Sequence, residues 1–420
     1  IYPFEKKPKV NHISLVDWLL IIGSIAGSAY AIWEYLDRFM RLGMLTEMDI
    51  FFGCLMLFLG LEVGRRVIGW SLTLVSIVLI LYSLYGFVIP GHFGHGGFDL
   101  EAVVTQVYAG MEGYYGLSAK MMIQYVAPFI LMGAFLEKSG AGDFFIRLAF
   151  ALTRNTVGGP AKAAVIGSAL LGSISGSAVA NVIGTGTFTI PLMKKTGYPP
   201  EFAGAVEAAA STGGQIMPPI MGAAAFLMAE MVGVPYSEIV IRAILPAFLY
   251  FAGIFLMVHF KAKKMGLHGL PKDSLPKAKD ILPKIYLLVP LIVLVYMIIV
   301  GFTMSRSAVY ATFAAITMGM VDREKGGKKL LMALPLIPLA VIVILGNKSY
   351  EWIPENLDNI CMGLWVVLFV LFTVMSKPNR EAAPSYVDAL AAGTRNTLSV
   401  GVACGIAGGR PRPAHKGRVD

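Results

Sequence analysis

Between Lys162 and Lys194 the chain carries 31 consecutive residues without a charge, 163–193. Most of this stretch, Gly172-Ser-Ile-Ser-Gly-Ser-Ala-Val-Ala-Asn-Val-Ile-Gly-Thr-Gly-Thr-Phe-Thr-Ile-Pro-Leu-Met193, is apolar enough for lipid but packed with Gly, Ser and Thr and one Asn. Hydrocarbon gives backbone groups no hydrogen-bond partner, so such a stretch must be sheltered by protein or line a polar cavity. Its length narrows the choice. Arg154 and Lys162 precede it, and Lys194 and Lys195 follow it. If both pairs mark the same side of a membrane, as positive loops do, the chain enters and leaves on one face. As helix, the stretch would run about 46 Å. One crossing takes about 20 residues and two take about 40. The length fits neither and predicts a re-entrant hairpin over 163–193.

Composition supports a membrane setting. The 420 residues are 56% hydrophobic and only 15% charged, with a mean hydropathy of +0.69. A soluble domain carries about 25% charged residues. Long apolar runs recur from Leu15 to Val402, which reads as an all-α polytopic membrane protein. Candidate spans are 14–33, 48–64, 67–89, 121–137, 201–229 (interrupted), 236–260, 285–303, 306–321, 330–346, 359–376 and 388–408, with an amphipathic piece at 143–153. The net charge of +9 does not indicate nucleic acid, because most Lys and Arg sit in short loops where orientation signals lie. Lys6, Lys7 and Lys9 before the first span, and Arg65 and Arg66 after the second, place the N-terminus in the cytoplasm. The loop 91–117, with Asp99, Glu101 and Glu112 and no Lys or Arg, then falls outside. Segment 261–284, Asp322–Lys329 and Lys377–Arg380 read as cytoplasmic loops. Trp18, Trp33, Trp70, Trp352 and Trp365 fall mostly near span ends, as an aromatic belt would place them. Cys54, Cys361 and Cys404 have no metal or disulfide spacing and read as packing residues. The first span exceeds a signal-peptide core.

A second irregular segment follows the first. Glu201–Ala210 reads as helix, then comes Ser211-Thr-Gly-Gly-Gln-Ile-Met-Pro-Pro219. Two glycines loosen the backbone and two prolines remove donors, so a regular helix cannot continue. Helix resumes over Ile220–Met228, making a discontinuous crossing. Broken helices at membrane depth are where secondary transporters bind ions and substrates.

The polar residues have two readings each. Ser177 and Asn181, four apart, would share a helix face and offer hard oxygen ligands to Na⁺, with carbonyls near Gly213, Gly214, Pro218 and Pro219 completing the shell. Gly172, Gly176, Ala180 and Gly184 equally form a small-residue ladder suited to helix packing. Thr185, Thr187 and Thr189 either bond back to their own helix or touch substrate near the hairpin tip. Glu207 lies in an apolar helix one turn before Ser211; an intramembrane carboxylate can carry a proton, balance a cation or bond to a neighbouring helix. Ser173, Ser175, Thr185, Thr187, Glu207, Ser211 and Thr212 are the candidates for substrate contact or coupling. Glu137 and Lys138 read as an interfacial pair, and His92 and His95 as loop residues. There is no His-Glu-x-x-His, no Walker A loop and no His/Cys cluster. The chain reads as no enzyme and as needing no cofactor beyond a coupling Na⁺ or H⁺.

Four runs carry a resemblance: Gly172-Ser-Ile-Ser-Gly-Ser-Ala-Val-Ala-Asn181, Thr185-Gly-Thr-Phe-Thr-Ile-Pro-Leu-Met-Lys194, Thr196-Gly-Tyr-Pro-Pro-Glu-Phe-Ala-Gly204 and Ser211-Thr-Gly-Gly-Gln-Ile-Met-Pro-Pro219. They resemble the large membrane subunit of tripartite ATP-independent periplasmic (TRAP) transporters. Gly133-Ala-Phe-Leu-Glu-Lys-Ser-Gly-Ala-Gly-Asp-Phe-Phe145 is similar to the subgroup with fused small and large subunits, which works with TAXI-type periplasmic solute-binding proteins. The resemblance covers about 60–408 and is densest over 128–260. It implies an elevator-type, inverted-repeat secondary transporter of the prokaryotic inner membrane that imports small organic anions, such as dicarboxylates, by symport with a cation. It also implies a Na⁺ site in which Ser177 and Asn181 give side-chain oxygens and Gly214, Met217 and Pro219 give carbonyls.

The implied organisation is small-subunit-like helices and an external loop over 1–117, a first repeat over 118–260 and a linker with further helices over 261–385. The start of a second repeat falls at 386–409 and an atypical tail at 410–420. The second repeat should continue well past 420, so the expectation is that this chain alone cannot complete transport. The alternatives are a related anion symporter that needs no binding protein and a truncated, non-transporting membrane protein.

Overall fold

Helices account for every regular element among the described residues, and no strand occurs there. The computed structural model describes residues 14–41, 44–110, 113–153, 155–267, 281–324, 328–345 and 356–408. The N-terminal lysines, Arg154, Trp352, most of the 261–284 linker and the 410–420 tail lie outside them. Among the described residues, six helical stretches are long and apolar enough to cross a membrane: Leu15–Trp33, Trp70–Val88, Ala119–Lys138, Tyr236–Lys264, Leu282–Val300 and Leu357–Met375. The chain is an all-α polytopic membrane protein. Its residues divide into two compact units, one reaching Ile123 and including those from Thr397 onward, the other Gln124–Asn396.

The first unit contains α1 (Leu15–Trp33), α2 (Tyr35–Met40), α3 (Glu47–Val67), α4 (Trp70–Tyr85), α5 (Leu100–Val104) and α6 (Leu117–Met121). Local chemistry sets its helix starts. Ser14 accepts the Asp17 N–H ahead of α1, and Thr46 forms a reciprocal capping box with Asp49 ahead of α3. α3 packs against α1, α4, α5 and the π-turn Thr105–Ala109. From that turn the Tyr108 hydroxyl donates to the Gly27 carbonyl at 2.9 Å.

The second unit begins with α7 (Ala127–Lys138) and α8 (Ala141–Thr153), followed by α9 (Gly159–Ser175), α10 (Ala178–Lys195), α11 (Pro200–Gly213), α12 (Ala223–Val232) and α13 (Tyr236–Lys264). Alanines, Val165, Val206, Met193, Tyr198 and Val258 form the core that joins α9, α10, α11 and α13. Next come α14 (Val289–Val300), α15 (Met304–Arg323), α16 (Lys328–Met332), α17 (Leu336–Leu345), α18 (Leu357–Met375) and α19 (Lys377–Gly408), which belongs to this unit as far as Asn396. Met297, Tyr310, Ile342, Cys361 and Trp365 lie in the core shared by α14, α15, α17 and α18.

Three expectations change. The apolar run 330–346 is two helices, α16 and α17, parted by the turn 333–335, where Pro335 supplies no N–H. Lys377–Arg380 is no loop but the first turn of α19, capped by Ser376 Oγ accepting the Asn379 N–H. Trp365 is not a belt residue: it is 3% exposed, stacked on Phe313 and Phe369, with its indole N–H on Thr317. Trp33 and Trp70, by contrast, are exposed at helix ends.

Candidate functional site

The charge-free stretch folds as two helices joined by a two-residue turn. α9 starts at a Gly158 in left-handed conformation followed by Gly159 and Pro160, and ends on Gly176 at φ +58°. Any side chain there would be strained, and a Cβ on Gly176 would sit 2.1 Å from the Met221 carbonyl. Ser177 then opens α10, which ends on Lys194 and Lys195, a favourable place for cations at a helix C-terminus. The hairpin therefore runs 159–195 rather than 163–193, with its tip at Gly176–Ser177.

The discontinuous helix lies against that tip. α11 remains regular through Ser211 and Thr212, which were expected to fall in the break. A single 3₁₀ turn, Gly214–Ile216, follows, and α12 resumes only at Ala223. The peptide between Pro218 and Pro219 is cis. Across the seam the Ile220 N–H donates to the Ser173 carbonyl at 3.3 Å. Gly172 and Gly214 touch backbone to backbone, and a Cβ on Gly172 would lie 2.4 Å from the Gly214 Cα. This contact corrects the expected four-residue ladder. The turn at Gly176 interrupts it, so Gly172 faces Gly214, Gly176 faces Met221 and Gly184 faces the Leu171 side chain.

Asn181 occupies the seam. It is completely buried. Its amide donates to the Ser168 carbonyl at 2.8 Å and the Ser211 carbonyl at 3.5 Å. Its Oδ1 is buried with no hydrogen-bond partner. An orphaned buried acceptor is costly and calls for an explanation. Ser177 differs from expectation. It is the N-cap of α10 rather than a helical residue one turn before Asn181, and its hydroxyl accepts the Ala180 N–H at 3.3 Å. Gly214 offers a carbonyl already used by the Met217 N–H. The Pro219 carbonyl accepts from Tyr236 at 3.0 Å.

The remaining candidates separate into a cluster and isolated residues. Glu207 is completely buried. Its Oε1 accepts from Ser168 at 3.0 Å, from Ser211 at 3.1 Å and from Thr185; its Oε2 accepts from Thr189 at 2.5 Å. Thr185 and Thr189 also bond back to the Asn181 and Thr185 carbonyls, so they follow the back-bonding reading and in addition hold a polar centre around Glu207. That centre lies along the helices and not at the tip. Thr187 is exposed. Ser173 and Thr212 bond back to the carbonyls of Leu170 and Ala208. Ser175 reaches the Ser177 carbonyl at 3.5 Å.

Sequence reasoning missed Ser168, Gly186 and Tyr236. Ser168 faces Glu207 only because α9 packs on α11. Gly186 leaves room for Glu207, whose Cγ would be 3.0 Å from a Cβ there. The Tyr236 hydroxyl bonds the carbonyls of Pro219 and Ile220, and its ring stacks on Phe226 at 4.6 Å. The one available signal for Tyr236 was its place just after Pro235, at the start of the next helix.

Residues 55–349 match the family model described as "Tripartite ATP-independent periplasmic transporter, DctM component". The C4-dicarboxylate TRAP transporter large permease protein of Vibrio cholerae is 27% identical over 227 residues, which are 52% of this chain and 46% of that protein. Its namesake in Rhodobacter capsulatus is 24% identical over 320 residues, 69% of this chain and 70% of the relative. The sialic acid TRAP transporter large permease of Vibrio cholerae is 23% identical over 216 residues, 51% of this chain and 46% of the relative. The chain thus spans about half the length of several curated relatives it matches. The hairpin and broken helix both lie inside the matched region, and the chain belongs to the DctM component family of tripartite ATP-independent periplasmic transporters.

Proposed function

We propose that this chain supplies the membrane-embedded part of a Na⁺-coupled importer of small organic carboxylates that receives substrate from a periplasmic solute-binding protein. C4-dicarboxylate and sialic acid are the substrates in the names of its relatives, and both are carboxylates. In this reading the partner is of TAXI type and residues 1–117 act as a fused small subunit. The protein lies in the inner membrane with its N-terminus in the cytoplasm. The hairpin and broken helix move together as the elevator, because α9, α10, α11 and α13 share one core.

The observation that carries the proposal is the unpartnered Asn181 Oδ1. It is a hard oxygen held between a hairpin tip and a helix break, where two helices end and carbonyls lose their helical partners. A cation ligated by Asn181, Ser177 and carbonyls of Gly214, Met217 and Pro219 would satisfy it. Ser177 would give up its capping bond or share its second lone pair.

The test is the melting temperature of the purified protein in sodium chloride against potassium chloride. With sodium a hundredfold above its dissociation constant, site binding stabilises by about 2.7 kcal/mol. The expected result is a sodium-specific rise that Asn181→Ala abolishes. Equal behaviour in both salts, or a sodium-specific rise that survives Asn181→Ala, would overturn the assignment.

A further inference from the structure

The Glu207 cluster has more hydrogen-bonding contacts than it has hydroxyl protons. Four hydroxyls surround the carboxyl group: Ser168, Thr185, Thr189 and Ser211. Each carries one proton. Yet the group contains seven short oxygen–oxygen contacts. Four join a hydroxyl to Glu207, one joins Ser168 to Thr185 at 3.1 Å, and two join Thr185 and Thr189 to helix carbonyls at 2.8 and 3.0 Å. At most four of these contacts can hold a proton while the carboxylate is ionised. A proton on Glu207 fills a fifth.

The same heavy-atom positions suit both charge states. With Glu207 ionised, all four hydroxyls point at it. With Glu207 protonated, its Oε2–H donates to Thr189 Oγ1 and the Thr189 hydroxyl turns to the Thr185 carbonyl. Thr185 can likewise turn to the Asn181 carbonyl. Only hydroxyl rotation separates the two arrangements, and neither leaves the carboxyl group unbonded.

Charge and spacing favour a proton over a metal ion at this place. A hard cation holds its oxygens about 2.0–2.6 Å from itself, and so holds them apart from one another. Here Thr189 Oγ1 already lies 2.5 Å from Oε2, a separation that a shared proton fills. No Lys, Arg or His pairs with Glu207 among the described residues. On α11 itself Glu201 is exposed at the helix start. On α9, Lys162 lies over the Phe255 ring at 4.8 Å. On α10, Lys194 and Lys195 are exposed at the far end. On α13, Arg242 pairs with Glu238, Lys261 lies over Phe202 and the Tyr250 hydroxyl donates to the Ala209 carbonyl. Lys263 and Lys264 on that helix are exposed and His259 is half-buried. The Gly214–Ile216 turn has no titratable side chain.

We propose that Glu207 is a reversible proton-binding site within the transport core, with Thr185 and Thr189 as rotating hydroxyls that keep it hydrogen-bonded in both charge states. One proton is taken up at Oε2 and one is released there. The reading is independent of sodium at Asn181. It does predict communication between the two places, because the Asn181 amide bonds the carbonyls of Ser168 and Ser211, whose hydroxyls hold Glu207.

Infrared difference spectroscopy of the purified protein between acidic and alkaline pH tests the proposal. The wild type should show the carbonyl stretch of a protonated carboxylic acid that disappears on raising pH, and Glu207→Gln should lack it while Glu201→Gln retains it. Thr189→Val removes the hydroxyl oxygen that accepts from the protonated Oε2–H and should move this band to higher frequency, the signature of a carboxylic acid that has lost a hydrogen bond. That second variant carries the test if Glu207→Gln does not fold. The absence of any Glu207-dependent band, a band unchanged across the pH range, or a band frequency indifferent to Thr189→Val would overturn the proposal.

Discussion

Asp49 and Glu207 are both completely buried, but they are held by opposite means. In the first unit Asp49 faces a guanidinium: Arg38 reaches its Oδ1 through Nη2 at 2.5 Å and through Nε at 3.1 Å. The Thr46 N–H and hydroxyl take its Oδ2 at 2.9 and 2.8 Å. In the second unit Glu207 faces hydroxyls alone. An arginine is always charged and fixes its partner's charge. Hydroxyls donate or accept by turning. The pairing at Asp49 therefore suits a permanent structural joint between α2 and α3. The setting of Glu207 suits a group whose charge changes while the helices stay packed.

The largest effect that could break this contrast is removal of Asp49. Asp49→Ala would leave Arg38, 8% exposed, without its carboxylate, and breaking a buried pair in this way costs about 3–5 kcal/mol. Glu207→Gln keeps a donor and an acceptor among hydroxyls and should cost under about 1.5 kcal/mol, the worth of a typical hydrogen bond. Thermal melting of both variants checks the order. Equal losses would mean that Glu207 is as much a structural anchor as Asp49.

A smaller loss is expected at the seam. Gly172→Ala places a methyl 2.4 Å from the Gly214 Cα, and backbone cannot rotate away as a side chain can. The expected cost is about 1–3 kcal/mol, with the hairpin pushed off the break. Cysteine crosslinking across the seam before and after the change would report the separation. The smallest effect belongs to Tyr236→Phe. It removes the hydroxyl that holds the Pro219 and Ile220 carbonyls and keeps the ring stacked on Phe226. A loss of about 1 kcal/mol is expected, read as faster amide exchange over 217–222 without a change in the first unit.

The sequence revealed most where a local rule sufficed. A charge-free length that was wrong for one or two crossings indicated the hairpin, and paired glycines and prolines indicated the break. Both were misplaced by a few residues. Pro160 is tolerated in the first turn of α9, which starts before Lys162, and Gly213 stays helical against Tyr250 and Phe251. Asn181 and Glu207 stood out because polar groups are conspicuous in apolar helices. Thr185, Thr189 and Ser211 were visible beside them, but their shared partner Ser168 was not. Ser168 looked like any small residue in α9, and its role depends on which face of that helix meets α10 and α11. Ser177 was misread because residues four apart share a face only inside a helix, and Gly176 ends one helix just before Ser177 starts the next. Trp365 was misread for a related reason: an apolar span shows where a tryptophan lies along the membrane, not whether it faces lipid or a neighbour.

The most direct test of the central claim, a sodium site at the seam of hairpin and break, is amide hydrogen exchange with and without sodium at constant ionic strength. Exchange should slow specifically over 172–181 and 213–222 when sodium replaces potassium, and Asn181→Ala should abolish the difference. Protection that is absent, spread evenly over the second unit, or retained in Asn181→Ala would contradict the account.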